Sequence, residues 1–298
     1  MTFKVGILIL EYSLYLKYYN SIKFEILKGN IEINGVSLNK ECVTSVNTLD
    51  GYKLLNDEQF FTYGFDYIVV AVQNSYIRQI KNQLRRIIAD NKILSIDIFG
   101  IIDFDFKEYI KLLDSKVSIL SANCWGGMTY SSLHMEFLSP TINLFFETDE
   151  MFTRFVSNLE EYMEYPLEYD KDGFADDVGK YPIGRLRDIR IHFLHYKTFD
   201  DANIKWNIRK NRINYRNIVA VLRTESLESA YNFVDQCQYR KYVITPRDFG
   251  IKNQIILEQT RIINEGMSFG DSLNMVAGGK IHIYDVIKLL NGDKSFVS

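Results

Sequence analysis

The sequence predicts an α/β protein with two domains, a small Rossmann-like domain that lacks the glycine-rich turn and a larger α/β domain after it. Two observations predict this class. Short β-rich apolar runs alternate with amphipathic stretches along most of the chain, as they do in parallel βαβ units. The length of 298 residues also exceeds the usual size of a single core. We therefore expect one domain at residues 1–115 and a second at residues 116–298.

The first domain is predicted from a leading strand and a strand–helix–strand unit. "FKVGILILE" and "FDYIVVAV" are short and apolar on both faces, as buried parallel strands are. "NSYIRQIKNQLRRIIADN" follows as a helix with Asn74 or Ser75 as its cap, and "KILSIDIF" supplies the next strand. Between these elements, Asn34-Gly35 predicts a hairpin turn.

The turn after the first strand argues against a dinucleotide site. Rossmann sites need glycines there, because backbone amides meet a pyrophosphate at the helix N-terminus. Here the turn reads "LEYSLYLKYY", in which Glu11 would repel phosphate and Tyr12 would hinder close approach. We expect no nucleotide in this domain and no cofactor for the chain.

The second domain is predicted from another alternating series. The predicted strands are "VSILSA", "TINLFFE", "RLRDIRIHFLHY", "NIVAVL" and "RKYVITP". The predicted helices are "TDEMFTRFVSNLEEYME", capped by Thr148 or Asp149, then "DDANIKWNIRKNRIN" and "LESAYNFVDQC". Pro182 and Gly184 are assigned to a turn ahead of a strand, and "DKDGFADD" to a solvated acidic loop.

Charge, cysteines and hydropathy narrow the class of function. A formal net charge of −3 gives no overall attraction to nucleic acid, so we expect no nucleic-acid partner. Cys42, Cys124 and Cys237 are widely separated and odd in number, which favours a reducing cytoplasm over a disulfide framework. No window reaches the ~18 apolar residues of a membrane span, and no metal-ligand motif is present. We expect neither a span nor a metal site, and the oligomeric state is left open.

The stretch "VSILSANCWGGMTY", residues 117–130, is the predicted centre of activity. Cys124 follows a strand and precedes a helix, and α/β sheets place their ligand sites at such carboxyl edges. A helix N-terminus would lower the thiol pKa and favour a nucleophilic thiolate. His195 is the predicted base, with Asp188 as the carboxylate that orients it. The alternative is that Cys124 is a buried small hydrophobe, beside a tryptophan that packs and glycines that turn.

A second candidate group lies in "KWNIRKNRINYR". On a helix, Trp206, Arg209 and Arg212 would follow one another at single-turn spacing and present an aromatic face with two guanidinium groups. A phosphorylated small molecule such as a nucleotide sugar suits this short basic patch better than nucleic acid does. A solvated helical face is the alternative. The predicted substrate-binding residues are Asn123, Trp125, Gly126, Gly127, Trp206, Arg209 and Arg212.

The second domain resembles a bacterial family known as domain of unknown function 1919, whose members are often labelled exopolysaccharide-biosynthesis proteins. The resemblance covers about residues 116–245 and is carried by the order N-C-W-G-G, S-P-T, Y-P-x-G, H-Y, K-W and R-x-x-R-I-N. It implies a pathway rather than a reaction. We therefore expect a glycosyl or acyl transferase that acts on a glycan or an activated sugar. The alternative is a non-catalytic binding or scaffolding protein of the same pathway.

Overall fold

The computed structural model of the chain describes residues 1–39, 48–176, 178–257, 276–278 and 283–293. These residues form helices with parallel and antiparallel sheets, which confirms the predicted α/β class. Two compact units divide the chain, Met1–Leu113 and Asp114–Ser298. Cys42 lies outside the described residues.

The first unit is built on a parallel sheet. Its strands are β1 Phe3–Ile9, β2 Ile31–Leu38, β5 Tyr67–Ala71 and β6 Ile93–Ser95, and a short hairpin is formed by β3 Thr48–Leu49 and β4 Tyr52–Lys53. Its helices are α1 Tyr12–Leu27, α2 Asp57–Thr62, α3 Asn74–Leu84 and α4 Phe106–Ser115, with 3-10 turns at Asp90–Lys92 and Ile96–Gly100. The sheet order is β2-β1-β5-β6, and all its strands are parallel. The chain adds β2 on one side of β1 and then adds β5 and β6 on the other side, so the strand order reverses between β1 and β5.

The hairpin predicted at Asn34-Gly35 is wrong, because both residues lie inside β2. Val5 pairs with Ile33 and Gly6 pairs with Gly35, so Asn34 is the extra residue of a bulge between two parallel strands. A Cβ atom on Gly35 would lie 2.4 Å from Leu55 Cδ1. The glycine therefore allows close packing on the sheet and does not make a turn.

The start of α3 also differs from the prediction. Its N-cap is Gln73, which makes no side-chain cap bond, so neither Asn74 nor Ser75 caps the helix. Instead the Glu11 carboxylate, just after β1, accepts a hydrogen bond of 2.9 Å from the Gln73 amide, just after β5. This is the crevice where the strand order reverses and where open α/β sheets receive their ligands. The chain's own carboxylate thus occupies an amide that a phosphate would use.

The second unit contains two sheets. Its strands are β7 Ser118–Ser121, β8 Phe145–Phe146, β9 Glu168–Ala175, β10 Gly179–Leu186, β11 Ile189–His192, β12 Ile218–Arg223, β13 Arg240–Thr245 and β14 Gln254–Ile256. Its helices are α5 Trp125–Ser132, α6 Asp149–Ser157, α7 Leu159–Glu164, α8 Phe199–Lys210, α9 Leu227–Gln236 and α10 Val286–Asn291. The parallel sheet has the order β14-β13-β12-β7, and the antiparallel sheet has the order β8-β11-β10-β9. Thr148 caps α6, as predicted, through its bond from the Met151 amide.

Four local predictions in this unit are wrong. The segment predicted as one strand at residues 185–196 is the turn and second half of a hairpin, since β10 ends at Leu186 and β11 begins at Ile189. Pro182 and Gly184 lie within β10 and not in a turn. The supposed acidic loop forms most of β9, an edge strand whose side chains are largely exposed. Only Phe145–Phe146 of "TINLFFE" is a strand.

The core of the second unit lies where both sheets meet helices α6, α8 and α9. Its buried residues include Leu120, Phe152, Phe155, Ile191, Phe193, Trp206, Leu222, Phe233 and Val243. The two sheets are joined at β8, because the Phe146 amide donates to Ala122 O at 3.0 Å while Phe146 pairs with Ile191. This junction fixes the chain that leaves β7 against the antiparallel hairpin.

Candidate functional site

The segment after β7 uses its polar groups within the chain. Asn123 Oδ1 accepts a hydrogen bond from the Trp125 amide at 3.0 Å. Ser121 Oγ accepts one from the Gly126 amide at 2.9 Å and donates to Asn123 O at 2.7 Å. The Trp125 and Gly126 amides at the start of α5 are therefore satisfied by the protein's own side chains.

Gly126 and Gly127 allow α5 to approach its neighbours closely. A Cβ atom on Gly126 would lie 2.8 Å from Ser121 Oγ. On Gly127 it would lie 2.7 Å from Asn143 Oδ1 and 3.3 Å from the Asn143 backbone nitrogen. Since backbone cannot rotate away, the second position is the more restrictive. Packing thus explains the glycine pair, and its predicted part in substrate binding stays a prediction.

Cys124 carries a protonated thiol in this environment. Burial raises the pKa of the Cys124 thiol to about 11. Neither His195 nor Arg209 contributes to this shift. The predicted lowering of the Cys124 pKa at the start of α5 is wrong, because burial removes the hydration that the charged thiolate needs. The neighbouring Trp125 is buried, and its Nε1 donates to the Tyr284 hydroxyl at 2.8 Å.

His195 and Tyr196, adjacent in sequence, have different surroundings. His195 is exposed in the turn after β11, whereas Tyr196 is only 6% exposed. The Tyr196 hydroxyl donates to Ile142 O at 2.8 Å and accepts a bond from Arg209 at 2.6 Å. The buried tyrosine therefore links α8 to the loop that follows α5, and the imidazole beside it faces solvent.

Both predicted arginines hold that same loop, residues 133–143, which we call the clamped loop. The Arg209 guanidinium lies 5.1 Å from the centre of the Phe137 ring. Arg212 pairs with Glu136 at 3.0 Å, although α8 ends at Lys210 and does not carry Arg212 along a further turn. The S-P-T motif ties the other end of the loop to β7, because Thr141 Oγ1 accepts from the Ser121 amide at 3.2 Å. The two arginines and the S-P-T motif thus come together in space, as predicted motifs of one site would, but their contacts are with a loop of the protein itself.

Trp206 belongs to the core. It is 1% exposed, and its ring centre lies 6.3 Å from that of Phe155 and 6.2 Å from that of Phe193. No face of the indole is open for a ligand to stack on. The structure therefore gives Trp206 a packing role in place of the predicted contact with substrate.

Asp188 lies elsewhere, in a polar depression beside the turn between β10 and β11. We call it the hairpin cleft, with a volume of about 430 Å³ and a lining of Arg154, Asn158, Glu161, Tyr162, Arg187 and Asp188. Asp188 accepts a hydrogen bond of 2.8 Å from the Tyr162 hydroxyl and pairs with Arg154, while Arg187 pairs with Glu161. The carboxylate predicted to orient His195 is thus bound to a tyrosine and an arginine.

These contacts fix the charge states in the hairpin cleft. The hydrogen bond from Tyr162, helped by Arg154, holds the pKa of Asp188 below its usual value. Burial, helped by the same hydrogen bond, raises the pKa of Tyr162 to about 12. At neutral pH the cleft therefore offers the ionised Asp188 carboxylate as an acceptor and guanidinium groups as donors, while the protonated Tyr162 phenol donates its hydrogen to Asp188. Two arginines and two carboxylates cancel in formal charge.

Arg187 has an unusual backbone at the rim of this cleft. It is the first residue of the two-residue turn and has φ of 59°, in the left-handed region that glycine or asparagine usually occupies. Its guanidinium lies 5.0 Å from the centre of the Tyr165 ring. An arginine is thus kept at a backbone position that disfavours it, next to a polar depression.

A second depression adjoins the first through Arg154. We call it the helix cleft, with a volume of about 250 Å³ and a lining of Glu150, Thr153, Arg154, Ser229, Asn232 and Gln236 from α6 and α9. Ser229 Oγ donates to Glu150 at 3.4 Å. No sequence motif predicts either cleft, because the lining residues come from separate elements, which are α6, α7, α9 and the hairpin turn. Only the predicted Asp188 falls within them.

Within the part of the chain that the structure describes, no three His, Cys, Asp or Glu side chains are grouped to hold a metal ion. None of the described helices has the length and apolar character needed to cross a membrane.

The comparisons with known proteins match both halves of the chain. Residues 96–286 match the family described as domain of unknown function (DUF1919), and residues 14–94 match the one described as C2185-like, N-terminal. A protein of Haemophilus influenzae, named "Uncharacterized protein", is 32% identical over 136 residues, which are 45% of this chain. The match covers 63% of that relative's length. The first of these families spans the clamped loop and both clefts.

Proposed function

Because the chain belongs to the family described as domain of unknown function (DUF1919), we propose that it binds an uncharged glycan chain of a bacterial surface-polysaccharide pathway. The exopolysaccharide label that this family's members often carry supports the pathway. The polar lining of the hairpin cleft supports the ligand class, and it is the observation on which the proposal depends.

Sugar hydroxyls both donate and accept hydrogen bonds, and the hairpin cleft offers both kinds of partner. Arg154 carries several N–H groups that donate, and Asp188 accepts. The Arg154 and Asp188 side chains are 50% and 45% exposed. An exposed ion pair of this kind stabilises the fold by only about 0–1 kcal/mol, so a ligand hydroxyl can replace one partner at small cost.

The balance of charge favours a neutral sugar over a nucleotide sugar. A pyrophosphate would have to approach Glu161 and Asp188 in a cleft whose arginines are already paired with them. Arg209 and Arg212, which the sequence assigned to phosphate, contact Tyr196 and Glu136. A neutral ligand meets no such repulsion.

The size of the site favours a chain of sugars. The hairpin cleft alone falls in the range of about 300–1,000 Å³ that is typical of small-molecule sites. Arg154 also lines the helix cleft, where Asn232 and Gln236 add amide groups. An oligosaccharide can therefore occupy both depressions and pass over Arg154.

A glycosyl transferase is the second candidate, because two carboxylates, Glu161 and Asp188, line one cleft. Chemistry at a glycosidic carbon relies on such carboxylate pairs. Acyl transfer through Cys124 has less support, since its thiol is protonated at neutral pH. Release of a nucleoside diphosphate from nucleotide sugars in the presence of an acceptor glycan would distinguish a transferase from a binding protein.

The binding proposal is tested by titrating the full-length protein with neutral oligosaccharides, and with nucleotide sugars in parallel, by calorimetry and saturation-transfer NMR. Asp188→Asn should weaken glycan binding about tenfold, because a charge-assisted acceptor is lost. Glu168→Gln is the matched control, since it removes an exposed ion pair with Arg185 in the same sheet outside the cleft. Equal affinity of Asp188→Asn and wild type, or binding of nucleotide sugars alone, would overturn the proposal.

A further inference from the structure

The outer face of α1 in the first unit exposes an unusual number of large apolar side chains. Leu16 is 52% exposed, Phe24 is 59% exposed and Leu27 is 84% exposed, and Tyr12 at the start of the helix is 38% exposed. The opposite face packs into the unit through Tyr15, Ile22 and Glu25. The helix is therefore apolar on both sides, and only one side is covered.

These side chains share one stripe along the helix. At 100° per residue, Tyr12, Leu16, Phe24 and Leu27 fall within an arc of about 120°. Lys23 lies inside this arc and Lys17 lies at its border. Both lysines are exposed. The ammonium group of Lys17 lies 4.7 Å from the ring centre of Tyr18, and that of Lys23 lies 4.4 Å from the ring centre of Tyr19. Their stems thus run along the helix and leave the charges at its surface.

The charged side chains that α1 itself contributes to this face have one sign. The single acidic residue of α1, Glu25, points inward, where it accepts bonds from the Phe106 amide at 2.9 Å and from Asn30 at 2.8 Å. These bonds fix the rotation of the helix, so that the stripe and the lysines face outward together. The exposed arc consequently carries apolar groups, the polar Ser13 and Asn20, and cations without a carboxylate of α1 itself. Two carboxylates from other elements act on its lysines, Asp97 on Lys17 and Asp50 on Lys23.

We propose that this face of α1 docks the protein on an anionic lipid surface. A helix that lies in the interface buries leucine and phenylalanine among the acyl chains while lysines meet the phosphate headgroups. Sixteen residues make the helix about 24 Å long, enough to place Leu16, Phe24 and Leu27 in the interface at once. A second copy that met this face with its own would bring Lys17 and Lys23 of both copies together, so like-charge repulsion favours an anionic lipid surface over a symmetric dimer.

The test is co-sedimentation of the full-length protein with large vesicles, made either of phosphatidylcholine alone or of phosphatidylcholine with phosphatidylglycerol. Wild-type protein should sediment with the anionic vesicles. Lys17→Gln with Lys23→Gln should weaken this binding about 25-fold, at about fivefold for each lysine. Leu16→Glu with Phe24→Glu should reduce it to the level seen without vesicles.

The matched control is Ile204→Glu with Ile208→Glu, which adds the same charges at apolar side chains of α8 that are 59% and 50% exposed. This variant should sediment as wild type does. No binding of wild type to either vesicle, or an equal loss in the control, would overturn the proposal. So would a wild-type dimer in light scattering that the Leu16→Glu, Phe24→Glu variant separates into monomers, because the face would then be an interface between copies.

Discussion

Tyr196→Phe removes one hydroxyl that the clamped loop depends on. In the folded protein that hydroxyl donates to the buried carbonyl of Ile142 and accepts from Arg209. Phenylalanine keeps the ring, which is 6% exposed, so the packing of the core is preserved. The change therefore isolates the two hydrogen bonds.

The expected loss of stability follows from those two bonds. A buried carbonyl left without a donor costs about 1–3 kcal/mol, and the bond from a charged guanidinium contributes a similar amount that is reduced because Arg209 is partly exposed and can turn to water. We expect a loss of about 2 kcal/mol in the free energy of unfolding. For a unit of this size, that lowers Tm by roughly 4–8 °C.

The measurement is thermal and urea unfolding followed by circular dichroism. Tyr231→Phe is the matched control, because Tyr231 is 51% exposed and its hydroxyl reaches Phe249 O only at 3.4 Å. It should stay within about 0.5 kcal/mol of wild type. A Tyr196→Phe protein that is as stable as the control but has lost glycan binding would refute the reasoning, since the hydroxyl would then serve the ligand and not the loop.

Three further predictions follow from local geometry. Gly127→Ala should lower the free energy of unfolding in urea by about 1 kcal/mol. Overpacking against the clamped loop costs about 1–3 kcal/mol, which exceeds the gain in helix propensity of about 1 kcal/mol. Unchanged stability would contradict the close approach. Alkylation of Cys124 by iodoacetamide, followed by mass spectrometry, should rise about tenfold per pH unit from pH 7 to 9, since its pKa is about 11; a plateau near neutral pH would reveal a thiolate. Burial lowers the pKa of His192 from 6.5, so the unfolded chain takes up a proton first and stability should fall as pH drops below 6.5. His192→Gln should reduce that dependence in unfolding midpoints, and exposed His195→Gln should retain it.

The fold class could be predicted because alternating strand and helix patterns are local signals. The apolar runs that became β1, β5, β7, β12 and β13 are each recognisable without knowledge of their neighbours. The hairpin turn at Arg187 was missed for a physical reason. A left-handed turn position is normally recognised by its glycine or asparagine, and here it is occupied by an arginine. Asn34-Gly35 misled in the opposite direction, because a bulge uses the same residues as a turn.

The site was harder to predict, because sequence motifs do not distinguish residues that hold a ligand from residues that hold the protein. Arg209 and Arg212 have the chemistry of a phosphate site, yet their partners are Tyr196 and Glu136. The effect on Cys124 depended on burial, which spacing does not reveal. The two clefts collect side chains from separate elements and leave no local pattern, so only a folded chain brings them into view.

The Glu11 carboxylate, bonded to the Gln73 amide, has a consequence for how the first unit behaves in a cell. A protein that binds a nucleotide in this crevice becomes more stable as the concentration of that nucleotide rises. Here the side chain of Glu11, which follows the neighbouring strand β1, accepts that hydrogen bond. The two strand ends are therefore tied together across the crevice by the chain itself, and this tie does not depend on the supply of a metabolite.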